Sequence, residues 1–389
     1  MNYNHPAKHN STVSIRLMCA IVFLSFSFAF LYFFQAEILG MAQHVLSGGL
    51  THYNRLLGAV LITLVLQLLQ LLVYTTTRLR KRNHALTYVP SLLTLGMITD
   101  VSSDIDLHFS MGAWWWVFPL VILVWIGVVI LCRAIQDVEP EMESTGLFSR
   151  AMWINMLIMA LMIVGVVAIS NTDAVFHYRM RAEACLRNND FRGALEQGQK
   201  SLESDANLQM LRMYALSRTN ELGERLFNYP VVAGNEAILP VSGESRFSWY
   251  PVDSLYKFLG AKPGAQMTTN RYLELMQQRD STVNRSIADY QLCALLIDKK
   301  LDAFTKALVD YYSDQDTLQM DSLPKHYREA LTLYTRLRSK PIVVYHNAVM
   351  DEDWRNMQEL EAQYADFSER KGKVEEQYRG TYWYYYKYE

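Results

Sequence analysis

Asp100, Asp104, Asp106 and His108 fall within nine residues of one another. Three carboxylates and an imidazole are the donors that hold a divalent cation, and a metal held there could serve a membrane-embedded enzyme or transporter. Acidic residues in a loop between two apolar stretches also fit plain topology, and no second ligand set accompanies them. A second group is aromatic: Phe247, Trp249, Tyr250 and Tyr256, within an irregular stretch at about 228–264 that also holds Pro230, Pro240, Pro251 and Pro263. Structureless loops of this length are uncommon and tend to be functional or disordered, and so many aromatics argue against disorder. The stretch is expected to fold over a helical core; the alternative is the lip of a groove for a peptide or protein partner. Signals for known chemistry are missing. There is no Gly-x-Ser-x-Gly elbow, His-Glu-x-x-His, phosphate-binding glycine loop or Cys-x-x-Cys pair. No reaction is identified and no cofactor is expected.

What would position these residues is a chain of two unlike halves. Apolar stretches at about 15–34, 56–74, 85–101, 114–132 and 152–169 occupy residues 1–171, and a polar, helix-patterned remainder fills 172–389. Averaging hides the split: net charge is -2, the pI is about 6.5 and mean hydropathy is -0.01. No extended basic patch suggests nucleic acid. The first stretch is too long for a signal peptide and no small-residue cleavage site follows it, so a retained helix is expected. In the second, Gln67 and Gln70 are expected to face other helices. The third is short and carries Pro90 and Gly96, which leaves a kinked or re-entrant segment open. Trp114, Trp115 and Trp116 begin the fourth, as an interfacial belt would. The lipid bilayer is therefore the first expected partner.

Orientation follows from basic residues near the apolar ends. Arg78, Arg80, Lys81 and Arg82 form the densest group, and Lys8, Arg16, Arg133 and Arg150 fall on the same side if all five stretches cross. That side is the cytoplasm, and 172–389 then lies outside it, despite Arg179 and Arg181 just beyond the fifth stretch. If 85–101 is re-entrant, the soluble half moves to the cytoplasm.

The soluble half has apolar residues at three- and four-residue spacing, so it is mainly α. Residues 175–208 match a tetratricopeptide (TPR) unit of ~34 residues: Tyr178 at the large aromatic site, Ala182 at the small one, Asn189-Asp190-Phe191 at the turn, Ala194 on the second helix and Ser201-Leu202 near its end. Ala206 and Arg181 depart from that pattern. Two more helices are expected in 288–312, one in 323–337 with proline in its first turn, and a last one from about Glu352 to Arg370. Cys185 and Cys293 are expected as buried free thiols, with a disulfide between them as the alternative in an oxidising compartment. His326 is expected to face solvent or cap a helix. The closing TYWYYYKYE is expected to pack back onto the last helices, because so many exposed aromatics would be adhesive.

A multi-span anchor followed by ALSRTNELGERLFNYP, DYQLCALLIDKKLDAF, LPKHYREAL and a closing TYWYYY resembles an uncharacterised family of bacterial membrane proteins, a domain of unknown function. The resemblance implies an inner-membrane location and a tetratricopeptide-like outer domain, and supplies no catalytic residues. The expected protein is a polytopic transmembrane anchor carrying a soluble TPR-like α-helical domain. That domain serves as a periplasmic scaffold for an unknown envelope protein or peptide; the alternative is the enzyme or transporter working at Asp100–His108.

Overall fold

The computed structural model describes residues 7–79, 81–136, 149–279, 285–314, 317–318 and 322–389. Arg80 and residues 137–148 lie outside them. The chain is mainly α and divides into two compact units, Met1–Asp173 and Ala174–Glu389.

The first unit contains α1 (Ala7–Ala29, continued by a π turn, Phe30–Phe34), α2 (Ala36–Leu46), α3 (Arg55–Thr77), α4 (Val89–Thr99), α5 (Trp114–Gln136) and α6 (Arg150–Ile169). Four stretches are helices long and apolar enough to cross a membrane: Val13–Phe34, Arg55–Thr77, Trp114–Ile135 and Arg150–Ile169. Local chemistry starts them cleanly. The Asn54 side chain accepts the Leu56 and Leu57 N–H groups at the head of α3, and Ser149 accepts that of Met152 at the head of α6. Their apolar side chains point outward as well as inward; Leu68 and Leu123 are 64% and 65% exposed, the pattern of a surface solvated by lipid.

The third apolar stretch is not one regular helix. Lys81–Tyr88 is 3-10, with non-helical backbone at Asn83, and only the eleven residues of α4 are α-helical, with Pro90 in their first turn. Eleven α-helical residues rise about 16 Å, well short of the ~30 Å hydrocarbon layer. Yet the stretch is pinned along three neighbours. Asn155 Oδ1 of α6 accepts the Ala85 N–H at 2.7 Å, and Asn155 Nδ2 donates to the Arg82 carbonyl at 3.2 Å. At the other end Thr99 Oγ1 and Ser170 Oγ share a hydrogen bond of 2.8 Å, and Asn171 Nδ2 donates to the Val101 carbonyl at 2.8 Å. On α3, Gln70 donates to Thr87 and the Leu66 carbonyl accepts from Ser91; on α5, the Trp125 indole donates to the Leu86 carbonyl. Residues 82–101 therefore run parallel to α6 and antiparallel to α3 and α5, matching α6 from Asn155 to Ser170, about 22 Å. The steeper ~2.0 Å rise of a 3-10 helix lets so few residues keep pace.

Asn155 is fully buried, so Asn155→Leu leaves the Ala85 N–H without an acceptor. The expected cost is about 1–3 kcal/mol, read as a lower thermal midpoint of the detergent-purified protein; an unchanged midpoint would show that the side chain does not hold the stretch.

Charge is divided between the two ends of this bundle. The Arg16 guanidinium lies 4.4 Å from the Tyr74 ring, Arg133 donates to the Thr76 and Thr77 carbonyls, and Arg82 meets Asn155 near the start of α6. Arg16, Arg78, Arg82, Arg133 and Arg150 thus share one end. The other end carries Glu37 (paired with Arg55 at 3.6 Å), Asp100, Asp104 and Asp106.

The second unit contains α7 (Ala174–Arg187), α8 (Phe191–Glu196), α9 (Ala206–Arg218), α10 (Leu222–Arg225), α11 (Val252–Leu259), α12 (Thr269–Arg279), α13 (Arg285–Ile297), α14 (Leu301–Tyr312), α15 (Lys325–Leu337), α16 (Ala348–Gln363), α17 (Phe367–Tyr378) and α18 (Tyr382–Tyr388), with one two-residue β pairing, Ser313–Asp314 against Thr317–Leu318. Leu208 to Ser217 of α9 are buried on every side, which makes α9 the central helix. One turn recurs three times. Asn189, Asn220 and Lys299 adopt left-handed backbone (φ 57, 57 and 58) between α7 and α8, α9 and α10, and α13 and α14. In each, the N–H after the left-handed residue returns to the fifth carbonyl before it: Asp190 to Cys185, Glu221 to Leu216 and Lys300 to Leu295. This geometry satisfies helix-end carbonyls and reverses the chain.

Two sequence expectations change. The second helix of the 175–208 unit stops at Glu196, and Leu202 is exposed. Gly198 (φ 62) turns the chain there, under a Tyr178 ring that would lie 2.5 Å from a Cβ, so only glycine fits. The last helix is not continuous from Glu352 to Arg370: α16 ends at Gln363, and Asp366 caps a new helix by accepting the Glu369 N–H. The C-terminal aromatics do pack inward, with Tyr382, Trp383, Tyr384 and Tyr385 buried.

Candidate functional site

The acidic loop follows α4. Asp100 Oδ2 accepts the Trp114 indole N–H at 2.8 Å, and Asp104 sits at a turn whose carbonyl accepts from Leu107 and His108. Asp104 and His108 are exposed and Asp106 is half-buried. Among the described residues no group of three or more His, Cys, Asp or Glu side chains could hold a metal ion; Asp100, Asp104, Asp106 and His108 are not brought together as a ligand set.

The aromatic stretch is held from below by one carboxylate. Glu183 of α7 is fully buried, and its oxygens accept the N–H groups of Ser248 (3.1 Å), Trp249 (2.6 Å) and Tyr250 (2.6 Å). Burial pushes the Glu183 carboxyl pKa up, opposed by those three N–H groups and by Arg179. Tyr250 and Tyr256 are buried, the Tyr256 hydroxyl donating to the Pro240 carbonyl at 2.7 Å. Phe247 is half-buried against Tyr214 and Tyr250. Trp249 is half-buried beneath the Arg187 guanidinium, 4.7 Å from its ring. The stretch is therefore a folded wall of the core, with little of Tyr250 and Tyr256 left for a partner to touch.

Beside this wall lies an open hollow of about 330 Å³, lined by Asn189, Arg218, Tyr250, Ser254, Lys257 and Phe258. These residues come from the first recurring turn, the end of α9, the aromatic stretch and α11. Nothing in the linear sequence singles out Arg218 or Lys257. Each is an ordinary surface cation in its own helix, and only the fold places them on one cavity with Tyr250.

Two further clusters of buried polar groups bond within the unit's core. Asp289 Oδ1 accepts the Tyr312 and Tyr327 hydroxyls at 2.6 and 2.9 Å, and burial raises its carboxyl pKa. Burial likewise pushes the Cys293 thiol far up, which keeps it protonated and unreactive. Cys185 and Cys293 do not form a disulfide; Cys293 is buried as expected, whereas Cys185 is half-buried. His326, expected at the surface, is fully buried: its Nε2 accepts the Phe227 N–H at 3.2 Å and its Nδ1 meets Glu329 at 2.8 Å.

Residues 267–389 match the model of a family of unknown function, DUF6057. The match spans α12 to α18, including the Glu329 and Asp289 clusters, and leaves the hollow outside it. No curated protein and no solved structure matches the chain.

Proposed function

We propose that this is a five-span protein of the bacterial inner membrane that presents residues 174–389 outside the cytoplasm as an interaction scaffold for an envelope protein or peptide. The observation that carries the reading is the bonding of residues 82–101 to α6 at both of their ends. A stretch that keeps pace with a candidate spanning helix over about 22 Å is better explained as a crossing than as a re-entrant loop. Each of the five apolar segments then has one end among the arginines, and cytoplasmic loops are the ones that carry excess Arg and Lys. An odd number of crossings delivers Ala174 to the opposite side.

The scaffold reading draws on the three recurring turns. Asn189 and Asn220 are separated by nearly the ~34 residues of one tetratricopeptide unit, although the early turn at Gly198 makes the first unit irregular. Stacked helix pairs form extended surfaces without needing a reactive centre.

The crossing of 82–101 is testable in a variant whose four cysteines are replaced by serine. A cysteine at Leu107 should react with a membrane-impermeant thiol reagent on intact spheroplasts, and one at Arg78 only after permeabilisation. Labelling of both from one side would remove the third crossing.

A further inference from the structure

We propose that the hollow beside α9 and α11 is a binding site for an oxyanion, a carboxylate or phosphate monoester, carried on an apolar or aromatic body. Two cations line it. Among the described residues neither Arg218 nor Lys257 has a carboxylate within ion-pair distance, and the acidic groups nearest to them in sequence are engaged elsewhere: Glu221 pairs with Arg225 at 2.7 Å, and Asp253 pairs with Lys262 at 2.8 Å.

Arg218 is also held in place. Its guanidinium carbon lies 4.3 Å from the Phe191 ring centre, 4.9 Å from that of Phe258 and 5.8 Å from that of Tyr214. One N–H group donates to the Tyr214 hydroxyl at 3.0 Å, and that hydroxyl shares a further 3.0 Å hydrogen bond with Tyr250. Aromatic stacking and one anchoring bond fix the plane of the fork. Only one of its five N–H donors is spent within the described structure. A planar fork with its remaining donors unused suits an oxyanion in a way that a mobile surface cation does not.

The rest of the lining completes the ligand class. Lys257 adds a second positive charge, Asn189 and Ser254 add neutral hydrogen-bonding groups, and the half-buried Phe258 gives an apolar surface beside the charged edge, backed by the buried Tyr250. The hollow is open to solvent, with room for an anionic group whose attached ring or short side chain lies over Phe258. The proposal goes beyond the scaffold reading, because it holds whichever side of the membrane the hollow faces.

The test uses the full chain purified in a neutral detergent, titrated calorimetrically with N-acetylphenylalanine, its neutral amide, and phenyl phosphate. Binding of at least one of the two anions, with the amide weaker by about tenfold or more, supports the site, and the tighter anion assigns the class. Lys257→Gln changes one exposed side chain and should weaken the anion about tenfold with no change in thermal midpoint; Arg218→Gln should weaken it further. Equal binding of the acid and its amide, binding unchanged in Lys257→Gln, or no binding of either anion would overturn the proposal. None of these outcomes bears on the labelling pattern that tests the crossings.

Discussion

Glu329→Ala is expected to loosen the entire C-terminal end of the helical unit, at a cost of about 2–6 kcal/mol for two buried donors left without acceptors. Glu329 is 1% exposed, and its carboxylate accepts the Tyr382 N–H at 2.7 Å and meets His326 Nδ1 at 2.8 Å. Because His326 Nε2 accepts the Phe227 N–H, the ring proton sits on Nδ1 and points at Glu329. One carboxylate thereby ties the start of α18 to α15 and, through the imidazole, to the segment after α10. The Glu329 carbonyl also accepts the Trp383 indole N–H at 2.7 Å. Alanine leaves the Nδ1–H and the Tyr382 N–H buried without acceptors, while Gln keeps one oxygen and should lose less. Since a domain is stable by only ~5–15 kcal/mol, thermal unfolding of the full-length protein should show a markedly earlier transition, with proteolytic cuts appearing near 381–389. A Glu329→Ala protein that melts with the parent would contradict this account of the latch.

Glu183→Ala is expected to be of similar size. It leaves three buried N–H donors, those of Ser248, Trp249 and Tyr250, without acceptors at ~1–3 kcal/mol each, or about 3–6 kcal/mol if relaxation recovers part. The aromatic stretch should detach first, read as early protease cleavage between 241 and 251. The sign of the pH effect also follows. Burial raises the folded-state pKa of Glu183, so the native state binds the proton more tightly than the unfolded chain does. This group's contribution therefore falls as pH rises from the unfolded value of ~4.3 through the raised folded one. Glu183→Gln should flatten the dependence of the melting midpoint on pH in that window, and a slope identical to the parent's would show that Glu183 does not titrate there.

The two-part architecture was legible because long apolar runs and three- to four-residue periodicity each have one stable solution. The third apolar stretch was half legible. Pro90 signalled an irregular helix, but the polar contacts from Asn155, Gln70 and Ser170 that hold it come from distant segments. The left-handed turn at Asn189 was readable from Asn-Asp before Phe191, whereas the early stop at Gly198 depends on a Tyr178 ring across the turn. His326 was expected to face solvent or cap a helix because it follows Pro324 in the first turn of one; its burial depends on Phe227 and Glu329. In the acidic loop four good ligand types lie close in sequence, yet among the described residues no three of them form a group that could hold a metal ion. The hollow had no linear signature, since its two cations and its aromatic wall come from separate helices and a loop.

The most direct test of the membrane reading is the compartment of Glu389, measured with paired reporter fusions, one active only outside the cytoplasm and one only within it. The account predicts signal from the outside reporter alone, as five crossings from a cytoplasmic N-terminus require. Signal from the inside reporter alone would contradict it, and would mean that residues 82–101 turn back although they run alongside α6.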